Sequence, residues 1–273
     1  MFFAVHKGFF FVCQMLAKLR RKRMKEFNYK DVGAKIGWNF SKINPTVEQN
    51  KCYNYYQKVV EHISPNSIML DVGCGSAEKA IRYFSLAKKV YETDIEPNML
   101  EKAKENVQKY YSDDIKYANK FGFKIMDCDG AYDFSDDYFD LVVSRHCGAN
   151  MAEVYRVLKK DGVFLSEDYS CDDCSELKQI FGRGQGYRES PLYKKVMSDC
   201  LDAGFSEINF LRFEQIEYYQ SADELKFLLS HTPILNGYDD NIDDEKLQEY
   251  VNKFTTKKGI MLRRRLYAFE LKK

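Results

Sequence analysis

The residues from Asp71 to Glu78, which read DVGCGSAE, have the composition of a ligand-binding turn. Gly73 and Gly75 follow a short apolar run, where a strand would pass into a helix, and glycine there lets a ligand approach the backbone. A dinucleotide-binding turn has the spacing G-x-G-x-x-G, but Glu78 occupies the third glycine position and Asp71 precedes the turn. Two carboxylates beside a pyrophosphate repel it. The turn therefore indicates a ligand that carries positive charge.

A ligand with an ammonium and a sulfonium group suits two carboxylates, and S-adenosylmethionine (SAM) is such a ligand. Its amino-acid end can lie over the glycines with its ammonium near Asp71. Asp94 follows Gly75 by 19 residues and ends the next predicted strand. A carboxylate at that place can accept hydrogen bonds from both hydroxyls of a ribose. The spacing of these residues favours a nucleoside cofactor.

Four motifs in order resemble those of class I SAM-dependent methyltransferases: LDVGCG at 70–75, VYETDIEPNML at 90–100, FDLVVSRH at 139–146 and EVYRVLKKDG at 153–162. The similarity is specific over residues 66–168 and weaker but compatible beyond them. It implies SAM as the cofactor, with Asp71 orienting the amino group, Gly73 and Gly75 flanking the methionine moiety, and Asp94 holding the ribose. The cofactor-binding residues that the resemblance implies are Asp71, Gly73, Cys74, Gly75, Asp94, Ile95, Asp129, Gly130, Ser144 and Arg145.

The family also places an acidic residue and the following backbone N–H against the adenine, upstream of the F-D motif. The stretch DCDGAYDFSDDYFD at 127–140 alters the usual leucine-proline spacing of this region. Two pairs compete for the role, and we prefer Asp129-Gly130 over Asp127-Cys128.

His146 is the candidate catalytic residue. It follows a predicted central strand with Arg145, so it would lie at the strand's carboxyl end, beside the ligand crevice. Methyl transfer needs an aligned nucleophile and sometimes a base that removes its proton, and an imidazole titrates near neutrality. The alternative is a histidine whose nitrogens are satisfied by backbone groups.

Strands that alternate with single helices from residue 68 to 165 must position these side chains. The pattern predicts an α/β fold with a doubly wound, Rossmann-like methyltransferase sheet, mostly parallel with an antiparallel C-terminal strand, and helices on both faces. Helices are predicted at 47–63 and 77–86, and another is predicted to end at Gly162. Long strands are predicted at 208–219 and 260–271.

We divide the chain into a basic and apolar N-terminal extension (1–24), an N-terminal helical cap (25–65), the SAM-binding core (66–168) and a C-terminal part that completes the sheet and contains a helical insertion (169–273). The apolar run at 9–17 is about half as long as a membrane helix. Its basic cluster follows it, whereas a secretory signal has its charges first. We interpret 1–23 as an extension upstream of a start at Met24; a membrane-touching tail is the alternative.

Outside residues 1–25 the chain has 35 basic and 41 acidic residues, a net charge of −6. A protein that binds chiefly by neutralising phosphates would have the opposite balance, so nucleic acid is not the favoured partner. The leading hypothesis is a cytoplasmic methyltransferase, without a transmembrane segment, that acts on a small molecule. One alternative is an RNA methyltransferase that uses the basic amino terminus and Arg263, Arg264 and Arg265, which we expect on a solvated edge strand. Another is a SAM-binding regulator without catalysis.

The eight cysteines fit reduced thiols in the cytosol, because a chain of this size does not need disulfides for stability. Cys171 and Cys174 form the only C-x-x-C pair, and zinc would need two further ligands from a chain with four histidines. We expect no metal requirement.

Overall fold

A computed structural model describes residues 40, 42–48, 53–187 and 192–273. The predicted N-terminal extension at 1–24 and the part of the predicted helical cap before residue 40 lie outside the described residues. Among the described residues, no helix is both long and apolar enough to cross a membrane.

The described part of the chain contains one mixed sheet of nine strands. The strands are β1 (Thr46–Glu48), β2 (Ile68–Val72), β3 (Lys89–Asp94), β4 (Phe121–Ile125), β5 (Phe139–Arg145), β6 (Leu158–Tyr169), β7 (Glu207–Tyr219), β8 (Thr255–Thr256) and β9 (Gly259–Lys272). The order along the sheet is β1-β7-β9-β6-β5-β2-β3-β4, and β8 pairs with β9.

The strands that carry the predicted site are parallel. β2 pairs in parallel with β3 and β5, β3 with β4, and β5 with β6, whereas β9 is antiparallel to both β6 and β7. This arrangement confirms the predicted Rossmann-like sheet with an antiparallel C-terminal strand. β2 is followed on one side by β3 and β4 and on the other by β5 and β6. Sheets of this kind bind ligands at the carboxyl ends of the strands where the order reverses, and the glycine turn begins at that edge.

Helices cover both faces of the sheet. The helices are α1 (Tyr55–His62), α2 (Ile81–Phe84), α3 (Pro97–Tyr110), α4 (Ile115–Ala118), α5 (Met151–Val157), α6 (Ser175–Phe181), α7 (Leu192–Ala203), α8 (Ala222–Ser230) and α9 (Asp240–Phe254). Apolar residues of α1, α2 and α3 share a core with Met69 of β2 and Val90 of β3. Residues of α5 and α7 share another core with Leu70 and Val72, which point to the opposite face of β2.

A third core forms where β7 and β9 meet α6, α8 and α9. It contains Tyr219 and Ile260 from the strands and Leu177, Leu225 and Leu247 from the helices. This helical cluster lies in residues 169–273, where the sequence predicts a helical insertion.

The expectation of a solvated edge strand for the three consecutive arginines is wrong, because β9 lies between β6 and β7. Arg264 is only 5% exposed, and its guanidinium pairs with Asp173 at 3.1 Å and Glu217 at 3.2 Å. The flanking guanidinium groups are also paired: Arg263 with Glu176 and Glu214, and Arg265 with Glu176 and Glu214. All three arginines are therefore engaged by acids of the same chain.

Two helices begin later than the sequence predicts. The predicted helix at 47–63 is shortened because Thr46–Glu48 pair with β7, and α1 begins after Asn54, whose side chain accepts a hydrogen bond from Gln57 N. The predicted helix at 77–86 is reduced to α2 because Ala77 has a φ of +53°, a left-handed conformation outside helical geometry.

Gly162 does not end a helix. α5 ends at Val157 and the chain enters β6 directly at Leu158. Gly162 lies within β6, where a Cβ would approach the Lys159 carbonyl oxygen to 2.8 Å. The glycine therefore permits an irregular stretch of strand, and the register between β5 and β6 shifts next to it.

Candidate active site

The glycine turn after β2 is anchored to the end of β3. The backbone N–H groups of Gly73 and Cys74 both donate to the Thr93 carbonyl oxygen, at 2.9 and 2.8 Å. Gly73 and Gly75 have φ values of +75° and +55°, which glycine adopts without steric cost. Glycine therefore stands where the chain leaving β2 has to bend toward the end of the neighbouring strand β3.

Asp94 is held in place by two backbone donors. Its Oδ2 accepts a hydrogen bond from Gly75 N at 3.0 Å, and its Oδ1 accepts one from Glu96 N at 2.9 Å. Burial raises the pKa of this carboxyl, although both backbone hydrogen bonds favour the ionised form. Each oxygen keeps a further lone pair, so the fixed carboxylate can still accept hydrogen bonds from a ligand.

The two glycines of the turn have different surroundings. A Cβ on Gly75 would meet nothing within 4 Å, so the space above this residue is open. A Cβ on Gly73 would lie 2.4 Å from Cys147 Sγ. Gly73 thus lets the loop after β5 pack directly on the turn, and Gly75 leaves room for a ligand.

Asp71 and Glu92 place two buried carboxyl groups beneath the turn. They are register partners on β2 and β3, and Asp71 is 6% exposed and Glu92 0%. Burial raises the pKa of Asp71 to about 7, and burial with the neighbouring Asp71 raises the pKa of Glu92 well above its usual range. The sequence analysis missed Glu92. The sequence does contain an indication of this role. Glu92 lies two residues after Val90, so its side chain lies on the same face of β3 as that core residue, where an acid is unusual.

The loop after β4 lies beside Asp94. Met126 N donates to the Asp94 carbonyl oxygen at 3.0 Å, and the next residues form a turn in which Gly130 N donates to the Asp127 carbonyl oxygen. The Asn150 side chain donates to the Gly130 carbonyl oxygen at 3.1 Å. Asp129 and Gly130 are therefore brought to the same strand edge as Asp94. Ile95, directly after β3, is 45% exposed there.

Asp127, Cys128 and Asp129 have side-chain ligand atoms within 4.8 Å of one another, the one such group among the described residues. Cys171 and Cys174 do not belong to it. None of the six described cysteines forms a disulfide.

The end of β5 carries Ser144 and Arg145. The Ser144 hydroxyl is fully buried and donates to the Cys147 carbonyl oxygen at 2.8 Å, which fixes the loop that packs on Gly73. Arg145 Nε donates to Glu167 Oε1 at 2.9 Å, and its guanidinium lies 5.5 Å from the centre of the Tyr56 ring. Both residues lie at the site, and both are engaged by neighbouring groups of the chain.

His146 has a strained backbone and a ring packed against Tyr169. Its φ is +58°, and the two rings stack with their centres 4.3 Å apart. Burial lowers the pKa of the imidazole well below its usual value, with the Arg145 charge acting in the same direction. The ring is therefore neutral at neutral pH. Its Nε2 lies 3.9 Å from the Glu167 carboxylate.

Three residues at this edge keep buried polar atoms without hydrogen-bond partners among the described residues: Tyr55 (hydroxyl), Glu92 (both carboxyl oxygens) and His146 (Nδ1). The Tyr55 hydroxyl, from α1, is another feature that the sequence analysis missed. Buried polar groups in proteins are nearly always hydrogen-bonded. Unsatisfied polar atoms at the carboxyl ends of these strands fit a ligand with polar groups, and the carboxyls of Asp71 and Asp94 fit the ammonium and ribose of SAM.

The family of the chain agrees with this geometry. A family model described as a methyltransferase domain matches residues 63–255, and the chain belongs to this family. Its cofactor is SAM, which confirms the prediction made from the turn and Asp94. A comparison with curated protein sequences gives no match.

Solved structures share the fold at low sequence identity. The YcgJ protein of Bacillus subtilis has 19% identity and a TM-score of 0.52, with 80% of this chain and 97% of that one covered. A functionally unknown protein of Deinococcus radiodurans has 13% identity and a TM-score of 0.61, covering 89% and 96%. Phosphoethanolamine N-methyltransferase 2 of Haemonchus contortus, in complex with SAM, has 19% identity and a TM-score of 0.51, covering 90% and 60%.

Proposed function

We propose that this chain transfers a methyl group from SAM to a small-molecule acceptor in the cytoplasm. The observation that carries the proposal is the fixed Asp94 carboxylate next to the open turn at Gly75. Buried groups of Tyr55 and His146 without partners lie at the same edge, where a cofactor and an acceptor would complete them.

The cofactor residues divide by the part of SAM that they would hold. Asp71 would accept hydrogen bonds from the ammonium, the backbone at Gly73, Cys74 and Gly75 would line the methionine moiety, and Asp94 would accept the ribose hydroxyls. Ile95 offers an apolar surface for the adenine. The Asp129 carboxylate is the proposed polar partner of the adenine, because the Gly130 amide is already used within its own turn.

Ser144 and Arg145 would act by holding the loop after β5 in place. Ser144 fixes the Cys147 carbonyl, and Arg145 keeps the Glu167 carboxylate beside His146. We therefore assign them to positioning of the site.

When bound, SAM supplies an electrophilic methyl group on its sulfonium. The chain has to orient an acceptor in line with that methyl and, for an acceptor that must lose a proton, to take it up. The neutral His146 imidazole has a lone pair for this proton, but burial and the Arg145 charge make it a weaker base than a free histidine. The Glu167 carboxylate near Nε2 would offset part of that effect when the proton is taken up.

A small acceptor is favoured over RNA because the arginines proposed for RNA contact are engaged by acids, with Arg264 buried. Aromatic rings instead pack against the charged groups at this edge: the Arg145 guanidinium lies 5.8 Å from the centre of the Tyr55 ring and 5.5 Å from that of Tyr56, and Tyr169 stacks on His146. Aromatic side chains with a few polar groups suit a compact organic molecule.

Isothermal titration with SAM tests the proposal. Wild-type protein should bind, and Asp94→Ala should weaken binding at least about tenfold, because two hydrogen bonds to a charged group are lost. Asp113→Ala, which removes an exposed aspartate on the surface, should bind like wild type. The proposal fails if wild-type protein does not bind SAM, or if Asp94→Ala binds it equally well while remaining folded.

A further inference from the structure

The Asp71 and Glu92 carboxyl groups form a buried pair, and the proposed function gives a role to only one of them. They lie opposite each other on β2 and β3, and both lie below the glycine turn, near Cys74. Asp71 has a proposed role toward the ligand ammonium. Glu92 has none, although it is the more deeply buried of the two.

The hydrogen bonding of Glu92 requires an additional proton. Because Asp71 and Glu92 are register partners on adjacent strands, their carboxyl groups lie on the same face of the sheet, within hydrogen-bonding reach of each other. As two carboxylates they offer only acceptors, and the Glu92 oxygens are buried without a hydrogen-bond partner among the described residues. The nearby donor is the Cys74 thiol, a weak donor that bonds the Gly75 carbonyl oxygen. One proton on the pair supplies the missing donor, and it also removes one of two buried like charges.

The surroundings contain little positive charge to replace that proton. The groups that face the pair are Cys74 in the turn, Asp94 on β3, Tyr55 and Tyr56 on α1, and Arg145 on β5. Burial raises the pKa of the Cys74 thiol, so this group is neutral. Arg145 is the single cation of this set, and its guanidinium pairs with Glu167 at 2.9 Å. A second negative charge on the pair therefore needs a cation from outside the chain.

We propose that Asp71 and Glu92 share one proton in the ligand-free protein and release it when the ammonium group of a ligand binds beside Asp71. On release the carboxyl O–H bond breaks, the proton passes to solvent buffer, and the ammonium takes over its role as donor and positive charge. The inference rests on the proposed function, because it takes SAM as the ligand. Glu92 acts through Asp71 as a positioning residue, and the pair makes recognition specific for a cationic amino-acid end.

The ligand's ammonium is the decisive feature. SAM and S-adenosylhomocysteine both carry it, so both should release the proton on binding. Methylthioadenosine has the adenosine and the thioether but no amino group. Any binding of methylthioadenosine should therefore leave the shared proton on the pair.

The experiment is isothermal titration of the full chain with S-adenosylhomocysteine in buffers of different ionisation enthalpy, at about pH 6.5, where an α-amino group remains protonated. The slope of observed enthalpy against buffer enthalpy counts protons. We expect release approaching one proton for wild type and close to none for Glu92→Gln, whose amide supplies the donor permanently. The exposed control Glu249→Gln should match wild type. Methylthioadenosine should give no slope.

A second measurement does not depend on a variant. As the pH is raised toward the pKa of the pair, the affinity of wild type for S-adenosylhomocysteine should rise by up to about tenfold per pH unit. Above that pKa the affinity should level off. Normal binding with neither a proton count nor this pH dependence overturns the inference and leaves the proposed function standing. An unchanged proton count in a folded Glu92→Gln protein also overturns it. Absence of any binding to SAM or S-adenosylhomocysteine overturns both.

Discussion

At the scale of single residues, the site depends on carboxyl groups placed in different electrostatic environments. Asp94 accepts two backbone N–H groups and is prepared to act as an acceptor. Asp71 and Glu92 are buried against each other, so the ionised form of either is disfavoured. The same side-chain chemistry thus gives a fixed acceptor at Asp94 and, two residues earlier on β3, one member of a proton-holding pair. The other member, Asp71, is about 20 residues away from Glu92 in sequence but opposite it in the sheet.

The buried pair predicts a pH dependence of stability. Because the folded pKa of Asp71 is about 7 and thus above its unfolded value, the folded state binds more protons between about pH 4 and pH 7. Stability of the ligand-free protein should therefore fall as pH rises through this window. Glu92→Gln should be more stable than wild type by ~1–2 kcal/mol near pH 8, and the difference should shrink toward pH 5.

Urea unfolding of both proteins across this pH range measures the effect, with Glu249→Gln as the exposed control. A constant difference between Glu92→Gln and wild type at every pH would contradict the account, because it would mean that no shared proton is involved.

At the scale of elements, the site is made by turns that pack on one another at the ends of β2, β3 and β5. Sequence patterns predicted these strands because each is a short apolar run in a parallel sheet. They did not predict that α2 is so short, because the left-handed backbone at Ala77 follows from the way the turn hydrogen-bonds to β3. The contact between Gly73 and Cys147 joins residues far apart in sequence, so no local pattern reports it.

This contact predicts an energetic coupling. Gly73→Ala should destabilise the fold by ~2–4 kcal/mol, because the new Cβ would overlap Cys147 and because alanine is strained at a φ of +75°. Cys147→Gly removes both atoms that the Cβ would meet. The double variant should recover about 1–2 kcal/mol of the loss, the part due to overlap. Denaturant unfolding of the four proteins gives the coupling, and strictly additive effects would show that the two turns do not pack as described.

At the scale of the whole molecule, a buried ionic network connects β7, β9 and the segment before α6 to the candidate site. Arg264 pairs with Asp173 and Glu217, and its guanidinium lies 4.1 Å from the centre of the Tyr169 ring. Tyr169 stacks in turn on His146. The sequence predicted the strand that carries Arg264 but assigned it to a sheet edge, because strand order depends on long-range pairing that a local pattern does not contain.

Removing the centre of this network should be costly. Arg264→Ala would leave two buried carboxylates without their cation, and we expect a loss of ~3–5 kcal/mol. Arg212→Ala breaks an exposed pair with Asp172 and should cost at most about 1 kcal/mol. Thermal unfolding compares the two variants. Equal effects would contradict the account of Arg264 as the centre of a buried ionic network.

The central claim, methyl transfer to a small molecule, is tested most directly by incubating the full chain with methyl-labelled SAM and a cell extract that is then separated into metabolite, protein and RNA fractions. We predict label in the metabolite fraction with wild type, and its loss with Asp94→Ala. Label in RNA would contradict the small-molecule acceptor, and SAM binding without label in any fraction would contradict catalysis.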